Sequence, residues 1–305
     1  MVDDRQTAVT PRRAGFDPSA FGLRVMTFDE ALAEPELDAV TIETPNNELV
    51  AAALPFARRG VAMHMDKPPG ETMAEFQELL NVCAAGAVPF QMGFMFRSNP
   101  AFQFCIKAIR DGLLGEVFEI VADMNHNYGG EAYQEYIGKF PGGIMLNLGC
   151  HLIDFVVSAL GRPERVSPFL HSIAGYPDGT HNLCAAILEY PHCLVHLRAS
   201  GKAAGGVDGR FMKIGGTNGS IFFSPLERFD GKGVEVSLRL EQSAGTFPAG
   251  SHTLTFAPQK DRYVPQLEEL ARMIRKECRS PYSYEHDALV HAVTLAAAGY
   301  TVWRA

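Results

Sequence analysis

Three segments of the chain carry residue types that do chemistry. Asp66-Lys67-Pro68 follows the short apolar run Val61-Ala62-Met63-His64-Met65. A lysine there stands at the carboxyl end of a strand, where the crevice of an α/β sheet opens, and the following proline biases it to an extended backbone. Taken alone, Asp-Lys-Pro also reads as a solvated surface lysine. Between Gly142 and Asp154, the residues Asn147, His151 and Asp154 fall at i, i+4 and i+7, one stripe of an otherwise apolar helix. Polar groups so placed must either hydrogen-bond internally or line a polar cavity, because burial without a partner is costly. Met92-Gly93-Phe94-Met95-Phe96-Arg97 is a strand running into an arginine, which could clamp an anionic group or bridge two domains through a salt bridge.

The elements that must position these residues change character near Arg97–Pro100. Before it, short apolar runs alternate with helix signals. Thr27 and Glu30 have capping-box spacing, Asp38–Ile42 reads as a strand stopped at Thr44-Pro45, and Asn46 is expected to cap a helix reaching Arg59. Val61–Met65 is the next strand, Thr72 and Glu75 form a second box on a helix ending at Gly86, and Ala87–Phe94 is a third strand. Such spacing indicates parallel βαβ units. Beyond it, Ala101–Arg110 is helical. Longer alternating segments follow at Val117–Met124, Val166–Ile173, Leu183–Tyr190, Leu194–Ser200, Met212–Phe223 and Val234–Leu240, with hairpin-like turns at Glu189–His192 and Gly216–Gly219. One helix interrupts them, Gly143–Leu160, and two close the chain, Arg262–Glu277 and Tyr284–Arg304. The expected fold class is therefore α/β plus α+β: a Rossmann-like parallel part over residues 1–98, then an open, mainly antiparallel sheet with helices on one face over residues 99–305.

Composition narrows the function classes. The chain has 305 residues, 47% hydrophobic and 20% charged, with a formal charge of −8. No Lys/Arg run is present, so neither nucleic acid nor an anionic membrane surface is an expected partner. The six cysteines form no C-x-x-C pair and read as reduced thiols, and no apolar signal region or membrane span is visible, which points to the cytoplasm. His181, Cys184, His192 and His196 match no familiar metal spacing, and no metal is expected. Gly201–Gly206 is glycine-rich but follows an antiparallel strand and reads as a loop rather than a phosphate cradle. His126-Asn127-Tyr128 ends a strand before Gly129-Gly130, so His126 and Tyr128 could line a substrate pocket or serve core and surface roles.

Taken together, Asp38–Asn46, Asp66-Lys67-Pro68, Gly112–Glu116, the Gly142-Gly143…His151-x-x-Asp154 helix and the closing helices from Gln266 to Ala288 resemble the glucose–fructose oxidoreductase/inositol dehydrogenase family. The resemblance runs from about residue 24 to the C-terminus. It implies a Rossmann-like domain followed by a substrate and oligomerisation domain. By it, Lys67 would hold the substrate hydroxyl and stabilise developing negative charge, while His151 would accept or return the proton, with Asn147 beside them. Arg97, Asp154, His126 and Tyr128 would line the substrate site, and a nicotinamide of NAD or NADP would rest near Thr44, Pro45, Asn46 and Asp66. Three departures stand out. Asp66 replaces the family's usual glutamate, and Asn147 replaces an aspartate, which removes a titratable carboxylate. The family's opening strand and G-x-G-x-x-G turn have no counterpart, because Met1-Val2-Asp3-Asp4 reads as the tail of the second strand.

The first expectation is thus an oxidoreductase acting on a polyhydroxylated or cyclic small molecule, self-associating through its open sheet. A cofactor-independent lyase or decarboxylase using Lys67 and His151 is the alternative, and a non-catalytic ligand-binding homologue the third.

Overall fold

The computed structural model describes residues 8–9, 17–127, 130–259 and 261–304. The first strands, β1 (Ala8–Val9) and β2 (Arg24–Val25), pair in parallel. Met1–Asp4 lie outside the described residues. Helix α1 (Phe28–Ala33) opens on Thr27, whose hydroxyl accepts from the Glu30 amide while the Glu30 carboxylate accepts from the Thr27 amide. This is the reciprocal box the spacing implied.

Next come β3 (Ala39–Ile42), α2 (Leu49–Arg58), β4 (Ala62–Met65), α3 (Met73–Gly86) and β5 (Phe90–Met92), the strands lying parallel in the order β3-β4-β5. Two local expectations need correction. Asn46 does not cap α2: residues Asn46–Glu48 form a 3-10 turn without a side-chain cap, and the Asn46 amide is engaged elsewhere. At α3 the Thr72 hydroxyl donates to the Glu75 carboxylate at 2.7 Å, and no side chain caps a backbone amide, so the expected second box does not form. The third strand is also shorter than its apolar run, because Ala87 takes a left-handed C-cap (φ 49°) and spends the first residues on stopping α3.

After α4 (Pro100–Arg110) the chain builds β6 (Val117–Asn125), α5 (Gly130–Ile137), a π turn at Met145–Gly149, α6 (Cys150–Leu160), β7 (Arg165–His171), β8 (Leu183–Glu189) and β9 (Leu194–Ser200). It continues through β10 (Phe211–Gly216), β11 (Gly219–Phe223), β12 (Val234–Leu240), β13 (Gly250–Phe256), α7 (Val264–Ile274) and α8 (Tyr284–Ala297). Strands β6 to β13 form one eight-stranded sheet ordered β13-β12-β11-β10-β6-β9-β8-β7, antiparallel except where β6 meets β9. The long segment from Met212 folds back as the β10–β11 hairpin. Strand β13 and helix α5 were not legible in the sequence. Gly250-Ser251-His252-Thr253 lacks apolar alternation, and α5 follows two glycines that read as a loop.

Alternation along β8 buries Cys184, Ala186 and Leu188 on the side where the π turn and α8 pack. The opposite face exposes Phe118, Phe169, Leu194 and Phe222. Among the described residues no helix is long and apolar enough to cross a membrane.

Helix α8 also reaches α3, and that contact has a pH consequence. The His291 ring stands edge-on to Phe76 with centroids 5.2 Å apart, its Nε2 lies 3.2 Å from the Thr72 carbonyl, and its Nδ1 has no partner. Burial drives its pKa down to about 4, so the native ring is neutral. A folded pKa below the unfolded value of about 6.5 means that the stability contribution is complete above pH 6.5 and is lost as pH falls toward 4. Urea unfolding from pH 7 to 4 should lose about 3 kcal/mol through this residue. A His291→Leu variant should show a correspondingly flatter profile. Parallel profiles for the two proteins would overturn the assignment.

Candidate functional site

The carboxyl ends of β3 and β4 lie side by side, with Ile42 opposite Met65. Thr44-Pro45-Asn46 leaves the first strand and Asp66-Lys67 the second, so sequence-distant residues emerge on one ledge. Facing them is the π turn that opens α6. Its wider winding carries Asn147 out of the regular helical stripe. The Lys67 ammonium donates to the Asn147 backbone carbonyl at 2.8 Å. The Asn147 side chain accepts from Asn46 Nδ2 at 3.3 Å and donates to the Tyr133 hydroxyl at 2.9 Å. Asn46 Oδ1 in turn accepts from the Tyr136 hydroxyl at 3.3 Å. Asn46 is therefore buried in a side-chain network that joins the parallel sheet, α5 and the π turn.

Electrostatics sets the charge of the two central groups. Burial works against the Lys67 ammonium, while Cys150, Asp66, Tyr263 and Tyr136 favour it, and the net effect raises its pKa. It is protonated at neutral pH. His151 is buried edge-on to Phe94 at 5.9 Å and inclined to Phe96 at 5.7 Å. Burial first, then the charges of Lys67, Arg210 and Arg262, hold its pKa well below the usual value. The imidazole is neutral and its Nδ1 has no partner. The site thus pairs a fixed cation with a neutral, unengaged base.

The rest of the polar stripe has another use. Asp154 accepts from Arg97 Nη2 at 2.6 Å and from Nε at 3.0 Å, and the same Nη2 reaches Asp287 on α8 at 2.6 Å. The guanidinium lies 4.8 Å from the Phe94 ring and 4.0 Å from the Tyr282 ring, and all three charged groups are buried. Arg97 and Asp154 are therefore corrected from substrate-lining residues to an internal ion pair, the salt-bridge role left open above. Burial raises both carboxyls and Arg97 opposes it. The Asp154 carboxyl ends below its usual range and the Asp287 carboxyl above it.

His126 is buried with its ring tilted against that of Tyr133, centroids 4.1 Å apart, so it borders the network through that ring. Tyr128 lies outside the described residues. Tyr133 and Tyr136 are the site members that sequence reasoning missed. Their i, i+3 spacing in Glu131-Ala132-Tyr133-Gln134-Glu135-Tyr136 was the available signal, hidden by the failure to recognise α5.

A further wall comes from the segment entering α7. Arg262 and the buried Arg210 both bind Glu227, at 3.0 and 2.6 Å, and both add positive potential at His151. A cavity of about 260 Å³ borders Glu227, Arg262 and Tyr263 but not Lys67, Asn147 or His151.

The ledge also suits a flat cofactor ring. Thr44 and Pro45 are at least partly exposed, the Thr44 hydroxyl reaches its neighbour's carbonyl at a long 3.4 Å, and Asp66 is half-buried beside Lys67. These residues could hold the nicotinamide end of a dinucleotide.

A family model described as the GFO/IDH/MocA C-terminal domain matches residues 102–222. The inositol 2-dehydrogenase of Rhizobium meliloti (strain 1021) is 32% identical over 164 residues, 53% of this chain and 49% of that protein. The chain spans about half the length of the curated relatives it matches. Among solved structures, an aldose-aldose oxidoreductase from Caulobacter crescentus complexed with glycerol superposes with a TM-score of 0.79 at 19% identity, covering 99% of this chain and 92% of that one. A levoglucosan dehydrogenase in complex with NADH and levoglucosan superposes with a TM-score of 0.77 at 16% identity, covering 96% and 88%. The likeness to these two structures concerns the fold.

Proposed function

We propose that this chain, which resembles the GFO/IDH/MocA family in its matched C-terminal domain and in its fold, is an oxidoreductase that oxidises a hydroxyl of a small polyhydroxylated or cyclic molecule with NAD or NADP. The observation that carries the reading is the protonated Lys67 beside the neutral His151 with its unpartnered Nδ1, at the carboxyl ends of the parallel strands. Relatives named for inositol, D-apiose and dihydrobenzene-diol oxidation support the substrate class.

In this reading one of the remaining Lys67 N–H groups donates to the substrate hydroxyl oxygen. The fixed ammonium lowers the cost of alkoxide character as the proton leaves. That proton passes to the His151 imidazole, whose neutrality at pH 7 makes it an acceptor. Asn147 holds Lys67 through its carbonyl and cannot take the proton itself. Thr44, Pro45, Asn46 and Asp66 would seat the nicotinamide, which supplies the two-electron hydride acceptor. The phenyl rings of Phe94 and Phe96 keep water from the imidazole.

Fluorescence titration of the purified protein with NADH and NADPH tests the cofactor half, with saturable micromolar quenching or enhancement expected. Formation of reduced nicotinamide over a panel of inositols, pentoses and cyclic diols tests the reaction. Absence of nicotinamide binding would remove the cofactor from the proposal. Nicotinamide-free turnover of a hydroxy acid, abolished by Lys67→Ala, would replace it with the lyase.

A further inference from the structure

Gln266 lies in the first turn of α7, where its backbone amide donates to the Tyr263 carbonyl at 3.0 Å. Its side chain is 3% exposed. Nε2 donates to the Phe94 backbone carbonyl at 3.3 Å, which fixes the plane of the amide, yet Oε1 is buried with no donor. A buried amide oxygen left without a donor carries a standing desolvation cost, and such atoms are rare in folded proteins. The surroundings are those of the site. The Phe94 ring stands edge-on to His151, whose buried Nδ1 likewise has no partner. Arg262 and Tyr263, at the entrance to the same helix, act electrostatically on His151 and Lys67.

We infer that Gln266 is a specificity-determining residue whose Oε1 accepts a hydrogen bond from a second hydroxyl of the bound substrate, so that the site selects vicinal or cyclic polyols over simple alcohols and carboxylates. The inference rests on the reading that a polyol binds between Lys67 and His151. The chemistry follows from the atom. An sp² amide oxygen in a dry setting rewards a hydroxyl or amine donor and repels a carboxylate, which brings only acceptors. Because Nε2 is held by Phe94, the amide cannot turn over to offer a donor instead without giving up that bond. Lys67 and His151 act on the hydroxyl being oxidised, and Gln266 fixes which carbon that is by holding a neighbour.

The test uses the full chain and equilibrium binding of myo-inositol, D-xylose and levoglucosan, read by ligand-observed NMR and thermal shift without nicotinamide. Two proteins are compared: wild type and Gln266→Met, which keeps length and removes the acceptor. For the tightest polyol, Gln266→Met should weaken binding by at least about tenfold. Singly deoxygenated analogues of that polyol close the argument. The analogue that loses affinity for wild type should lose none for Gln266→Met, a coupling that a merely structural glutamine would not produce. Equal binding by wild type and Gln266→Met, no such coupling, or no binding of any of the three polyols to wild type overturns the inference. Polyol binding that depends on Gln266 without hydride transfer would leave the inference standing and defeat the oxidoreductase reading instead.

Discussion

Lys67→Met should lower kcat by about 10²–10³-fold on any polyol that the wild type oxidises, with little change in stability. The side chain is the one fixed positive charge on the strand-end ledge, and its pKa is raised, so it stays an ammonium across the working pH range. Methionine fills nearly the same volume but can neither donate to an alkoxide nor bind the Asn147 carbonyl, 2.8 Å away in the native protein. Folding loses one charge-assisted hydrogen bond and is relieved of one partly desolvated cation, so the two effects offset to within about 1–2 kcal/mol. Lys67→Arg should not restore the rate, because a planar fork cannot take the place of a compact ammonium. Reduced-nicotinamide formation at saturating substrate, alongside thermal unfolding, reads both quantities. A variant with kcat within fivefold of wild type would end the assignment of Lys67 to the developing oxyanion.

Arg97→Met should do the reverse. It should cost about 3–5 kcal/mol of folding stability, because Asp154 and Asp287 are then left buried without a counter-charge. The loss should be largest near pH 7–8. Asp154 has a folded pKa below its unfolded value, so the stability it contributes is present above the unfolded pKa and is lost as pH falls toward the folded one. Wild type and variant should therefore converge in acid, where a protonated carboxyl no longer needs the guanidinium. Arg97→Lys should recover only part of the loss, since one ammonium cannot reproduce contacts of 2.6 and 3.0 Å to Asp154 together with 2.6 Å to Asp287. Urea unfolding at pH 8 and pH 5 makes the comparison. If stability were unchanged while KM rose by a hundredfold, Arg97 would belong to the substrate after all.

These two residues show where reading the sequence succeeds and where it stops. Lys67 and Arg97 each end a strand run at the mouth of a parallel sheet, and local pattern cannot separate them. What separates them is the partner. Asp287 lies 190 residues from Arg97 along the chain, and only the docking of α8 brings it within reach. The helix carrying Asn147, His151 and Asp154 was legible from apolar spacing, as was its polar stripe, because both depend on a 3.6-residue period that any segment declares by itself. The π turn was not legible. Nor was the division of the stripe into one residue facing Lys67, one facing Phe94 and one facing Arg97, because that depends on what each meets across the fold.

By itself the sequence determined the two kinds of sheet, the α3 and β9 boundaries, and the placing of Lys67 at a strand end and of His151 on a helix. These are properties of local propensity, turn chemistry and periodicity, with the family resemblance supplying the roles. The tertiary structure alone decided that Asn46 serves the site rather than capping a helix, that Tyr133 and Tyr136 close over Asn147, and that Gln266 arrives from α7 with its carbonyl unpaired. A buried amide has two donors and an acceptor to satisfy, and which of them is left open is fixed by neighbours distant in sequence.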